Sequence, residues 1–410
     1  MPLPSMKCKP DPIFKCLVSM FSRRAFVSAL AGAVAVMTGC EPGAVMTPEK
    51  IVAAPSQESG GAANPSIVSI YTWDQYLNPT LLDEFKARTG IAVEVHTYES
   101  SDEMLEGLKS EPGKYDILVS EDAYIPKLAG KRLVKPLDRS RLPNWKNLEE
   151  KFTNPPYDPG NEFSVPYLWG TTLLAYRKDL LEPSSLSWKS LFDPALKDRI
   201  SFLDDKMECF AGVLRTMGVN ILSEATPDQI SMAADKMVSL VQEGGMRFGG
   251  DSGNEVKQHI VEGVSWISMM YSGDAALIAK DNPGLEIRYF IPEEGTTIWM
   301  DSFCISRDTT RPDNVDKFLD FMLEPKSAAA SANFLRYASP NKSAAPFIAP
   351  ELLADETINP RPEILAKCQY FQLKDLESIR MVNTGWRRVM EAWSLQSGQA
   401  SGKAVEPDEE

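Results

Sequence analysis

The segment TTIWMDSF, residues Thr296 to Phe303, sets an indole and a carboxylate two positions apart in an otherwise apolar run. On a β-strand, positions i and i+2 share a face, so Trp299 and Asp301 are expected to point the same way. The combination recurs where other apolar runs end. Trp73 and Asp74 follow IVSIYT, Glu121 comes just after YDILV, and Asp204 and Asp205 follow ISFL, with Glu208 a helical turn later. Tyr271 and Asp274 follow VSWISMM, and no basic residue joins the acids at these positions. The mixture suits an organic ammonium. Its charge needs a carboxylate to replace lost hydration, and its methylenes need apolar walls. An aromatic face supplies a wall and adds roughly 0.5–2 kcal/mol of cation–π attraction.

Each residue also has a plainer reading. Asp205 and Glu208 suit the first turn of a helix, where the macrodipole favours acids. Trp73 or Trp299 alone suits a core, and Asp274 could cap the helix AALIAK that follows it. Two carboxylates could also form the acid and base of a glycosidase, but nothing else in the chain matches a catalytic motif, and we expect no enzyme. The two histidines, His96 and His259, are far apart, and the six cysteines include no CxxC. Neither a metal site nor a cofactor is expected.

The elements that must position these residues are legible. IVSIYT reads as a strand. Asn78 and Pro79 start a helix with Leu81, Leu82 and Phe85 on one face, and Gly90 ends it. IAVEV is a second strand. Ser100 and Glu103 resemble a capping box ahead of a helix burying Met104, Leu105 and Leu108, and YDILV is a third strand. This alternation predicts a parallel sheet with helices on its faces. Ligands on such sheets sit beyond the carboxyl ends of strands. Residues 172–298 repeat an α/β pattern, with a helix over about Thr226 to Gln242 and strands in VSWISMM and IRYFIP.

The chain has 410 residues and a net charge of -14, which disfavours nucleic acid and attracts cations. Its N-terminus reads as an export signal. Arg23 and Arg24 in SRRAF resemble a twin-arginine signal, and Ala25 to Gly39 is an apolar stretch too short to span a membrane. VMTGC resembles a lipobox, which makes Cys40 the lipid anchor. Residues 41–65 read as a flexible linker and 396–410 as a disordered tail. Export leaves the state of Cys209, Cys304 and Cys368 open: one disulfide with one thiol, or three buried thiols.

From Ile67 to Trp393 the sequence resembles the bacterial spermidine/putrescine-binding proteins. The motifs YTWDQYLNPTLLDEFKARTGI, YES, YDILVS, PYLWGTT, LDDKMECF, YSGDAA, IWMDS and YASPN occur in the family's order. The resemblance implies a two-lobed α/β periplasmic-binding-protein fold of type II. Each lobe is then a mixed sheet flanked by helices, with the ligand in the cleft between them. It implies a first lobe over 66–171 plus 299–345 and a second over 172–298 plus 346–395, after an export signal at 1–40. Crossovers would fall near Trp169–Leu174 and Arg288–Trp299.

Carried over residue by residue, the resemblance makes Trp73, Asp205, Glu208, Tyr271, Asp274, Trp299, Asp301, Tyr337 and Gln372 ligand positions. The chain departs from the family pattern at Asp74, where the carboxylate has moved by one residue, and at Glu121, which stands near Ala123 where spermidine-type members carry a tyrosine. Both acids are added to the candidate site. The resemblance implies an extracytoplasmic, lipid-anchored, monomeric receptor that captures a polyamine and closes on it by a hinge. Its other partners would be ABC transporter permease subunits. The alternative is the same fold holding another small solute: an amino-sugar, an amino acid derivative or ferric iron.

Overall fold

The computed structural model describes residues 66–219, 224–249, 253–370 and 376–397. The export signal with Cys40, the linker 41–65, Gln372 and residues 398–410 lie outside the described residues.

The first strands and helices follow their sequence signals. Strand β1 is Ile67–Thr72 and helix α1 is Pro79–Thr89. The Asn78 side chain accepts the Thr80 amide at 3.0 Å, and Gly90 ends the helix at φ +73°, a conformation that costs glycine little. Strand β2 is Ala92–Thr97, α2 is Ser101–Ser110 and β3 is Ile117–Glu121. Ser100 caps α2 through the Glu103 amide, while the Glu103 carboxylate reaches back to the Glu99 amide at 2.8 Å. The expected capping box is therefore shifted by one residue on its return side. β1 lies between β2 and β3 and is parallel to both.

After α3 (Ile125–Gly130) comes β4, a strand of 14 residues from Ser164 to Arg177, buried along its whole length. β5 (Ile200–Leu203), α4 (Lys206–Thr216), α5 (Pro227–Gln242) and β6 (Arg247–Gly249) follow. Next are α6 (Asn254–Val261), β7 (Ile267–Tyr271), α7 (Ser272–Asp281) and β8 (Ile287–Phe290). β9 (Thr297–Ile305) returns the chain to β3. It is followed by α8 (Pro312–Met322), α9 (Pro325–Leu335), the short β10 (Gln369–Tyr370) and a C-terminal helix, Leu376–Ser397. That helix takes in residues 396 and 397, where the tail was expected to begin.

The strand order is β2-β1-β3-β9-β4-β7-β5-β6, with β10 against β9 and β8 against β4. β4 changes partners midway. Residues Ser164 to Thr171 pair antiparallel with β9, and Thr172 to Arg177 pair with β7 and β8. Each half of β4 serves a different core. Ile70, Phe85, Ile117, Val165, Phe303 and Phe318 belong to one cluster of buried side chains. Leu174, Trp188, Phe202, Phe210, Met237 and Met269 belong to another. These are the cores of two lobes. Ile348, Leu352 and Ile358 pack into the first-lobe cluster, and Val382, Trp386 and Val389 of the C-terminal helix pack into the second. Cys209, Cys304 and Cys368 are all buried free thiols.

Candidate functional site

β3, β9 and β4 lie side by side and present the first wall of the cleft. Their register places Glu121 opposite Asp301 and Gly170 opposite Trp299. The missing side chain at Gly170 makes room for the indole, since a Cβ there would sit 2.5 Å from the Trp299 ring. The loop after β1 folds over this wall. Tyr76 from that loop donates its hydroxyl to Asp301 Oδ2, and the Ser101 hydroxyl donates to Glu121 Oε1 at 2.6 Å. Trp73 is half-buried, with its ring 5.1 Å from that of Tyr76 and 5.2 Å from that of Tyr98.

The second wall is built on the starts of α4 and α7. Asp205 is the N-cap of α4: Oδ1 accepts the amides of Met207 (2.9 Å) and Glu208 (3.1 Å), and Oδ2 accepts the Tyr271 hydroxyl at 3.1 Å. Its capping role and its place in the cleft are compatible because the two oxygens divide the work. Glu208 is buried, and its Oε2 has no hydrogen-bond partner of good geometry. α7 starts at Ser272, so Asp274 lies in its first turn and not at its cap. Tyr337 packs against the same turn, where a Cβ on Gly273 would fall 2.3 Å from its ring. Trp299 meets Tyr271 and Tyr337 edge-to-face, at centroid distances of 5.6 and 4.9 Å.

Burial sets the electrostatics. It lifts the Asp301 carboxyl to about 7, against the pull of the Tyr76 hydrogen bond. It lifts Glu208 to about 8, with the Asp205 charge adding to the effect. Glu121 is raised by burial first, then by Asp205 from the opposite lobe, with Asp301 a further contributor. Asp205 and Asp274 are also raised by burial. The influence of Asp205 on Glu121 puts the acids of the two walls within electrostatic reach. Burial thus biases each of these carboxyls toward its protonated form.

The structure brings together Trp73, Glu121, Asp205, Glu208, Tyr271, Asp274, Trp299, Asp301 and Tyr337. Asp74 is not among them. It is exposed and accepts a hydrogen bond from Gln75 Nε2 at 3.1 Å, in a turn where Gln75 has φ +55°. The turn carries the carboxylate out to solvent while Trp73 stays packed. Four further residues enter: Tyr76, Ser101, Asp122 and Lys257. Asp122 is buried, and its carboxyl is raised by burial and by Glu121. A basic residue from elsewhere in the chain reaches the acids: Lys257, on α6, pairs with Asp274 at 3.1 Å. Arg215 is also a cationic neighbour of Glu208. The only sequence signal for Tyr76 was its closeness to Trp73; Lys257 had none, because its partner lies on another helix.

Comparisons with known proteins bear on the family and the fold. The family model for the bacterial extracellular solute-binding protein matches residues 80–360. The spermidine/putrescine-binding periplasmic protein of Salmonella typhimurium is 30% identical over 311 residues, covering 75% of this chain and 87% of that protein. Its counterpart in Escherichia coli K12 is 31% identical over 297 residues, covering 72% and 83%. Among solved structures, a putative spermidine/putrescine ABC transporter from Listeria monocytogenes superposes with a TM-score of 0.72 at 29% identity. That match covers 79% of this chain and 99% of the other.

Proposed function

Because the chain belongs to the bacterial extracellular solute-binding protein family, we propose that it captures a polyamine of the putrescine–spermidine class for import by an ABC transporter. The ligand enters the open cleft, the lobes close about it, and the closed form presents its outer surface to the permease. No bond is made or broken. The N-terminal lipid on Cys40 holds the receptor at the membrane, and it works as a monomer.

One observation carries the reading: four carboxylates, the buried Glu208 and Asp301 and the half-buried Glu121 and Asp205, share a cleft with the rings of Trp73, Tyr271, Trp299 and Tyr337. An alkyldiammonium answers both halves of that composition. Each ammonium replaces protons held between like charges, and the methylenes lie against the rings. Ferric iron fits less well. The Tyr271 hydroxyl is bound to Asp205 and Tyr337 engages Asp274, so the two phenols serve different carboxylates.

Titration calorimetry with putrescine, spermidine, spermine and agmatine tests the proposal, with glucosamine, glutamine and ferric citrate as comparators. Micromolar or tighter binding of at least one polyamine, about -8 kcal/mol or better, is the expected result. Heat from a comparator alone would move the chain to a different solute class.

A further inference from the structure

The acids of the cleft differ in what neutralises them. Asp301 and Glu121 are met by hydroxyls, from Tyr76 and Ser101. Asp205 is met by the Tyr271 hydroxyl and by amides of α4. Arg215 lies near Glu208 as a charge, but its Nη1 donates to the Thr297 hydroxyl at 3.4 Å. Asp274 is the exception. Lys257 Nζ stands 3.1 Å from its Oδ1, and the two side chains are only 21% and 14% exposed.

The local fold holds that lysine in place. Gly253, at φ +69°, is the N-cap of α6, and a Cβ there would stand in ordinary contact with Asp274 Oδ2 and the Tyr271 ring, at 3.6 and 3.9 Å. The Lys257 amide bonds to the Gly253 carbonyl at 3.2 Å, so the lysine sits one turn further along the same face. Asp274 in turn contacts Tyr337, whose ring packs on Trp299, two residues from Asp301. The Lys257–Asp274 pair therefore closes one end of the aromatic cage.

We propose that Lys257 determines ligand specificity by supplying from the protein an ammonium that occupies Asp274, so that the cleft takes a diamine in preference to a triamine. The proposal rests on the polyamine reading of the site. Asp274 is a built anchor for an amino group. With Lys257 on it, the anchors left to the ligand are the Asp301–Glu121 pair and the Asp205–Glu208 pair, one for each end of a diamine. A third ammonium would meet an anchor already filled and would carry its own desolvation cost.

Calorimetry on the exported form of the chain, with putrescine and spermidine, decides it. Lys257→Met keeps the aliphatic stem and removes the charge. It should raise the spermidine-to-putrescine affinity ratio at least tenfold, and Lys257→Met with Asp274→Asn should return the ratio to within a few-fold of wild type. Lys257→Gln, which keeps a polar head, is the companion variant and should shift the ratio the same way if the methionine form proves unstable. Binding of either amine with a ratio unchanged within twofold in both single variants overturns the role of Lys257 and leaves the polyamine reading standing. A gain that survives loss of Asp274 also overturns it. Failure of the wild-type protein to bind any polyamine overturns both.

Discussion

Glu121 on β3 and Asp301 on β9 are direct partners across an antiparallel ladder. Side chains in that relationship share a face with their Cβ atoms about 4.5–5.5 Å apart, and like charges there are destabilising. Here Asp301 is buried and Glu121 half-buried, and both carboxyls are pushed up toward their protonated forms, which eases the repulsion. On the proposed reading, an entering ammonium would be a stabilising partner for both acids.

Binding should therefore release protons. A cation favours the ionised carboxylates and lowers their raised pKa values, Asp301 from about 7 and Glu208 from about 8. The free protein carries more protons than the complex, so affinity falls as pH drops below about 7 and rises toward pH 8. Calorimetric heats measured at pH 7 in buffers of different ionisation enthalpy should show net proton release. Heats that do not depend on the buffer would contradict the protonated cluster.

Glu121→Gln should separate stability from function. A carboxyl with a raised pKa in the folded state adds to stability at low pH, and that contribution is lost as pH rises through the folded value. Removing the ionisable group should raise the melting temperature of the ligand-free protein at pH 8, and less so at pH 5. The same change should weaken polyamine binding about tenfold or more, the order of one charge-assisted contact. A variant with lowered melting temperature at pH 8 would assign Glu121 a structural role instead.

Asp301 and Asp74 make a contrasting pair. Asp301→Asn leaves one ammonium without its buried counter-charge and should weaken binding by about 3–4 kcal/mol, or roughly 10²–10³-fold. Asp74→Asn alters an exposed side chain bonded to Gln75 and should change affinity by no more than about threefold. Equal losses from the two variants would mean that the turn after β1 folds inward in the bound state.

Gly273→Ala inverts the usual effect of such a change in a helix, where alanine is favoured by about 0.5–1 kcal/mol. Gly273 lies inside α7, yet a Cβ there would sit 2.3 Å from the Tyr337 ring. Displacing that ring should cost about 1–3 kcal/mol of stability in denaturant titrations and weaken binding too, because Tyr337 packs on Trp299. A stabilised variant would show that the ring moves freely.

What the sequence made legible was local. The Asn78 cap, Gly90 and the Ser100 cap are signals carried within a few residues. Trp299 and Asp301 sharing a strand followed from a period of two. What stayed hidden depended on register and on meetings between distant segments. The opposition of Glu121 and Asp301 arises from pairing β3 with β9, and the Lys257–Asp274 ion pair from packing α6 on α7. Asp74 illustrates the converse. Its type and position fitted the pattern, but the left-handed Gln75 turns it outward, and nothing in the spacing shows that. The segment 346–370 was expected in the second lobe, but Ile348, Leu352 and Ile358 pack into the first-lobe cluster.

β4 runs through both lobes. Its partner change between Thr171 and Thr172 means that the lobes share one continuous, fully buried strand and do not hang from a slack loop. An opening of the cleft would have to twist that strand, with ladder bonds on both sides resisting it. The joint also touches the ligand region directly: Thr172 neighbours Glu208, and Gly170 sits under Trp299. Mechanical compliance and chemical recognition are therefore vested in the same few residues. On the proposed reading, a substitution that stiffens residues 170–172 should alter ligand affinity without touching a single carboxylate.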